Sequence, residues 1–152
     1  PLLQVDFLQE WLPEAKKKFR IYLETNGTLF ENFKKVMKFI DIVSMDIKLP
    51  GTANIDETWE DHYWFLKAAS TKRLFIKIVV SEDTTPGEFA KAVQMIATMN
   101  RKIPLIIQPL TPLSGSGAAP TPAQLLAFHH EASSCLNVVM VIPQTHKIIG
   151  IL

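Results

Sequence analysis

The sequence is short of cysteine. Cys135 is the only one among 152 residues, which excludes a disulfide framework and any multi-cysteine zinc or iron–sulfur site built from this chain alone. Glycine is also scarce: the six glycines are scattered, and no GxGxxG or GxxxxGK(S/T) string occurs. The Gly-rich turns that cradle phosphates in Rossmann and P-loop proteins are therefore missing, and nucleotide binding in those styles is not expected. Charge of one sign is lacking too. The 16 Lys and Arg against 15 Asp and Glu leave a formal net charge of +1, without the basic excess of a nucleic-acid module, so no nucleic-acid partner is expected. No apolar run approaches the ~18 residues of a membrane span, and no membrane partner is expected. The chain opens Pro1-Leu2-Leu3-Gln4, with neither Met nor signal peptide, and reads as if cut from something longer.

What is present is apolar bulk. At 47% hydrophobic residues, the chain can bury enough surface to offset its ordering entropy and reads as a single domain over residues 1–152. Its organisation is an alternation of helical and strand patterns. Asp6 to Phe19 is helical, with Phe7, Leu8, Trp11, Leu12 and Ala15 at helical spacing and an interruption at Pro13. Arg20 to Leu23 is a short strand closed by the turn pair Asn26-Gly27. The spacing then predicts a helix over Leu29 to Ile40, a strand over Asp41 to Leu49, a helix over Asp56 to Ala69 and a strand over Arg73 to Val80. Thr85-Pro86-Gly87-Glu88 opens the next helix with a capping box and a proline at its first position, and Thr121-Pro122-Ala123-Gln124 repeats the device. The strands that follow these two helices are Ile103 to Gln108 and Asn137 to Ile142.

Such alternation implies an α/β fold of parallel strands joined by right-handed crossovers, either a doubly wound sheet or a (β/α) barrel. The strands favour the barrel. The period of two sets Val43, Met45, Ile47 and Leu49 on one side and Ser44, Asp46 and Lys48 on the other. Likewise Ile21 and Leu23 oppose Tyr22 and Glu24, Ile76, Ile78 and Val80 oppose Phe75, Lys77 and Val79, and Ile107 opposes Ile106 and Gln108. The last strand aligns Met140 and Ile142 with Gln144 and His146. With the apolar sides facing the helices, the polar residues converge on a lumen near the carboxyl ends of the strands, where barrel enzymes build their sites. Two readings of that cluster stand side by side: a site for a polar, multiply charged ligand, or internal Asp46–Lys48 and Glu24–Lys77 salt bridges with no ligand.

Three strings carry a resemblance: Tyr22-Leu23-Glu24-Thr25-Asn26-Gly27-Thr28, Val43-Ser44-Met45-Asp46-Ile47-Lys48-Leu49-Pro50 and Pro143-Gln144-Thr145-His146-Lys147. Together they resemble the radical S-adenosylmethionine (SAM) enzymes, and within them the 7-carboxy-7-deazaguanine synthase family. Pro1-Leu2-Leu3-Gln4 resembles the tail of that family's Gly-Gly-Glu-Pro motif. The resemblance implies a partial (β/α)6 barrel lacking its first β/α unit and second strand. It implies a cytoplasmic, ammonia-releasing lyase, a homodimer served by an external electron donor. That enzyme uses S-adenosyl-L-methionine, a 4Fe–4S cluster and Mg2+. Its substrate is the small-molecule pterin 6-carboxy-5,6,7,8-tetrahydropterin, contracted to 7-carboxy-7-deazaguanine for queuosine and other 7-deazapurines. The cofactors carry this chemistry while the protein orients the reactants and excludes water. The chain departs from the family where it lacks the CxxxCxxC loop for the cluster, so these residues by themselves are expected to be inactive. A fragment of a glycyl-radical activating enzyme (pyruvate formate-lyase type) shares the Glu-Thr-Asn-Gly and Asp-x-Lys strings and stands as the alternative.

The resemblance also assigns residues. Glu24 matches a carboxylate near the SAM ribose, with Asn26 beside it; a turn partner for Asn26 is the plainer role for Glu24. Ser44, Asp46 and Lys48 match a segment contacting ribose and methionine, Lys48 acting as a point charge on the methionine carboxylate or as an internal partner of Asp46. Gln108 and the loop Pro109 to Pro120 match the adenine side, or are plain surface. Gln144 and His146 match the motif that approaches the pterin, or a solvated strand end for the histidine. No catalytic and no metal-ligating residue is assigned. His129 and His130 diverge by about 100° on their helix and do not share a metal-binding face. Cys135 reads as a buried small hydrophobe, and Lys16-Lys17-Lys18 as a solvated helix end.

Overall fold

The computed structural model describes residues 1–53, 57–112 and 117–150. Five strands, β1 (Tyr22–Thr25), β2 (Ile42–Ile47), β3 (Arg73–Val80), β4 (Leu105–Pro109) and β5 (Val139–Val141), form one parallel sheet in the order β1-β2-β3-β4-β5. The seven α-helices among the described residues are α1 (Val5–Lys16), α2 (Phe30–Val36), α3 (Pro50–Ala53), α4 (Trp59–Ala69), α5 (Pro86–Met99), α6 (Pro122–Cys135) and α7 (Thr145–Ile148). The chain is thus α/β, as the alternation implies.

Sequential strand order excludes the doubly wound alternative. A Rossmann sheet reverses direction at a switch point and puts helices on both faces. Here every crossover steps the same way, and crossovers of one hand stack their helices on one face. The burial pattern agrees. Val43, Met45, Ile47, Ile76, Ile78, Val80, Leu105 and Ile107 are all fully buried, whereas Glu24, Asp46, Lys77, Gln108 and Met140 on the other face are half-buried or exposed. The open face of the sheet is the one the alternation marks as polar.

The helices cover their face through short apolar stripes. In α4 the buried residues are His62, Phe65, Leu66 and Ala69, the i, i+3, i+4, i+7 pattern of a core-facing helix. Phe65 meets Phe33 of α2 with ring centroids 4.6 Å apart, and Phe89 of α5 meets Phe128 of α6 at the same separation. Both capping boxes form: Thr85 Oγ1 accepts from the Glu88 amide and Thr121 Oγ1 from the Gln124 amide, each at 3.2 Å.

Four local expectations need correction. Helix α1 runs through Pro13 without a break, because a proline this close to the end removes one backbone bond while Leu12 and Ala15, both buried, anchor the turns on either side. The strand expected over Asp41 to Leu49 stops at Ile47, and Pro50 begins the short helix α3. The last strand stops at Val141, and Thr145 starts the helical turn α7. Gln144 and His146 therefore do not continue the alternation of Met140 and Ile142. Finally, Lys16 is not merely solvated, since it ion-pairs with Asp41, whose second oxygen accepts from the Ile21 amide at 2.7 Å.

Candidate cofactor and substrate site

Parallel register places the polar residues of the open face in rows. Glu24 of β1 pairs with Ser44 of β2, which pairs with Phe75 of β3. One step toward the carboxyl ends, Asp46 pairs with Lys77, and Lys77 with Ile106. Gln108 pairs with Val79 further up. Both proposed salt bridges form: Lys77 reaches across β2 to the Glu24 carboxylate, and Lys48 Nζ lies 2.7 Å from Asp46 Oδ2.

Those bridges do not satisfy everything beneath them. Ser44 is fully buried, yet among the described residues its hydroxyl has no partner, and neither does Asp46 Oδ1. Leaving a buried acceptor unpaired costs about 1–3 kcal/mol, and these two lie two residues apart on the same face of β2. A cleft of about 410 Å3 lined by Pro1, Leu3, Glu24, Asn26, Thr28 and Asp46, among others, gives access. A second, of about 250 Å3, is lined by Lys48, Thr52, Val79, Leu110, Gln144 and Lys147, with others. The Asp46–Lys48 ion pair joins the two. The structure thus brings Glu24, Asn26, Asp46 and Lys48 together, with Ser44 beneath them. Gln108 is half-buried and lines neither cleft.

Gln144 is buried, and its Oε1 accepts from the Thr111 amide at 2.8 Å, tying α7 to the loop after β4. Residues 113–116 of that loop lie outside the described residues, as does the side chain of His146.

Sequence reasoning missed His62. It is fully buried on α4, beneath the Asn26-Gly27 turn. Because a carbonyl can only accept, Nδ1–H donates to the Gly27 oxygen at 3.2 Å, which leaves Nε2 to accept from the Thr58 hydroxyl at 3.0 Å. The signal was present in the sequence, since His62, Phe65, Leu66 and Ala69 share one helical stripe. Burial lowers the His62 pKa below its ordinary value, with the Gly27 and Lys48 backbone and the Asp61 and Asp46 carboxylates pulling the other way. A histidine held neutral in the fold and free to protonate in the unfolded chain stabilises fully above its unfolded pKa of about 6.5. That contribution is lost as pH falls below that value and on through the lowered folded pKa. Urea unfolding midpoints should therefore drop between about pH 7.5 and 5.5, and the drop should shrink in His62→Asn; equal acid losses in both proteins would refute the assignment.

The cleft residues fit the chemistry of SAM. Unpaired buried acceptors suit its ribose hydroxyls and ammonium, and the lysine suits its carboxylate. They do not fit an iron–sulfur cluster. Cys135, the chain's one thiol, ends α6 in the helical layer, where the Gln94 amide donates to its sulfur at 3.3 Å. Among the described residues no group of three or more His, Cys, Asp or Glu is arranged to hold a metal ion, Mg2+ included.

Comparison with known proteins agrees with the strings that the sequence carries. No protein-family model matches the chain. The 7-carboxy-7-deazaguanine synthase of Geobacter sulfurreducens is 43% identical over 150 residues, covering 99% of this chain and 60% of that protein. Those of Methanothermobacter thermautotrophicus and Thermococcus kodakarensis are each 31% identical, with 99% and 100% of this chain and 67% and 60% of theirs covered. The chain therefore spans about 60% of the length of the Geobacter relative. Among solved structures, a domain of pyruvate-formate lyase-activating enzyme from Bacteroides vulgatus matches with a TM-score of 0.73 over 93% of each chain, at 16% identity, a likeness of fold. On the identity to three synthases across its whole length and on this fold, the chain belongs to the 7-carboxy-7-deazaguanine synthase family of radical SAM enzymes.

Proposed function

We propose that this chain is the cofactor- and substrate-binding part of a 7-carboxy-7-deazaguanine synthase. The whole enzyme would convert 6-carboxy-5,6,7,8-tetrahydropterin to 7-carboxy-7-deazaguanine with release of ammonia, in the cytoplasm, as a homodimer supplied by an external electron donor. The observation that carries this reading is the pair of unpartnered buried acceptors, Ser44 Oγ and Asp46 Oδ1, beneath a cleft rimmed by Glu24 and Asn26. SAM would supply the radical chemistry when reduced by a 4Fe–4S cluster, with Mg2+ assisting. The cluster's thiolates are not among these residues, and the chain alone is accordingly inactive.

The chain's own residues bind and orient. Glu24 accepts from the ribose hydroxyls with the oxygen that Lys77 leaves free. Asp46 and Ser44 take donors on the cofactor, and Lys48 exchanges part of its pairing with Asp46 for the methionine carboxylate. Gln108 lies toward the adenine side. Gln144 keeps its carbonyl on Thr111 and has its amide group to donate to the pterin, next to α7, which carries His146. A glycyl-radical activating enzyme is the weaker reading, since that likeness is one of fold at 16% identity.

Calorimetric titration tests the assignment. SAM should bind saturably, and Lys48→Ala should weaken it about tenfold or more, the worth of a charge-assisted hydrogen bond. The tetrahydropterin should then bind the SAM-loaded chain. Heats equal to dilution for the unsubstituted chain, or an affinity untouched by Lys48→Ala, would overturn the reading.

A further inference from the structure

We infer that His62 is a positioning residue for the cofactor side of this site, holding the Glu24-to-Gly27 rim in its binding shape from the helical layer beneath; this rests on the synthase reading above. Four observations converge on it. The rim turns at Gly27, whose φ of 69° lies in the left-handed region, a conformation that a turn must be held in. The turn's own ties are local: the Gly27 amide donates to Thr25 Oγ1 at 3.2 Å and Thr28 Oγ1 to Asn26 Oδ1 at 3.1 Å. The long-range hydrogen bond on it comes from His62, thirty-five residues away, through the Gly27 carbonyl. The imidazole is itself held, by the Thr58 hydroxyl one helical turn earlier and by burial in the core face of α4.

The geometry makes a continuous path from core to cleft. Thr58 orients the ring, the ring orients the Gly27 carbonyl, and Gly27 is the residue after Asn26, which together with Glu24 lines the cleft. Gly27 also lies against Met45, between Ser44 and Asp46 on β2. Releasing the carbonyl would free the rim to move away from the two unpaired acceptors, so that a bound ligand could no longer meet Glu24 and Asp46 at once. His62 lines neither cleft; it meets the Gly27 carbonyl and the Lys48 backbone, and its effect is transmitted through the backbone.

Two substitutions separate positioning from packing. The Asn amide nitrogen can take the place of Nδ1, whereas the Gln amide nitrogen falls near Nε2 and leaves the Gly27 carbonyl without its donor. In the ligand-free chain, amide exchange across residues 26–29 should speed up about tenfold in His62→Gln and stay near the original in His62→Asn, the effect of one hydrogen bond lost or kept. SAM affinity measured by calorimetry should follow the same order, weakened in His62→Gln and restored in His62→Asn. A loosened rim with unchanged affinity would overturn the inference, as would equal exchange in all three proteins. Failure of both variants to fold, judged by circular dichroism, would mark His62 as a packing residue only and overturn it too. Absence of SAM binding by the unsubstituted chain would instead overturn the synthase reading of the site, while the exchange pattern reads the strut independently.

Discussion

Gly27→Ala is expected to cost the fold about 2–5 kcal/mol. The left-handed conformation at φ 69° places a Cβ too near the following carbonyl, at roughly 1–2 kcal/mol for an L-residue. The new methyl would also stand 2.4 Å from Met45 Cε and 2.8 Å from its Cγ, where real Cβ contacts do not occur. Met45 is fully buried between the sheet and its helices, so its tip can swing only into occupied space, and overpacking of this kind costs about 1–3 kcal/mol. Urea unfolding of the variant measures the total; a loss below about 1 kcal/mol would show that Met45 has room to retreat. The same substitution displaces the Asn26 rim, so the cleft should suffer even in molecules that fold.

Phe65→Ala should be the most damaging single truncation near the site, at about 3–5 kcal/mol. Phe65 and Phe33 are both fully buried and pack ring to ring, joining α4 to α2. Truncation removes the transfer free energy of the ring and leaves a cavity bounded by a sheet and two helices, which relax only in part. Because His62 lies on the same stripe one turn earlier, the loosened helix would also weaken its hold on the Gly27 turn. Phe19→Ala is the matched control: Phe19 is 67% exposed, and its loss should stay within about 0.5 kcal/mol. Comparable losses for the two would contradict the burial assignment.

Much of this was legible without coordinates. Strand Arg73–Val80 has the bounds that its pattern implies, a β-rich run whose Arg73 and Lys77 mark one face while Leu74, Ile76, Ile78 and Val80 fill the other. The two capping boxes sit where Thr-Pro-x-Glu/Gln put them. The helical turn at Thr145 was missed, although Pro143, which cannot donate to a ladder, follows the last bond to β4, from the Ile142 amide to the Ile107 oxygen. The passage of α1 through Pro13 was not legible, since it depended on burial at Leu12 and Ala15 rather than on local preference.

The candidate site divides along the same line. The shortage of cysteine, the want of a phosphate-binding glycine turn and the two-sided strands are properties of composition and period. They decided that the chain is α/β, that one sheet face is polar and that these residues hold no cluster. Which side chains pair among Glu24, Asp46, Lys48 and Lys77 was a question of distance between strands, which only the fold supplies. The ion pairs form, yet Ser44 Oγ and Asp46 Oδ1 remain unpaired in the same rows. Cross-strand register and burial are properties of pairs of segments far apart in the chain. That is also why His62, thirty-five residues from the turn that it supports, became a candidate for function only once α4 was packed beneath β2 and the turn after β1.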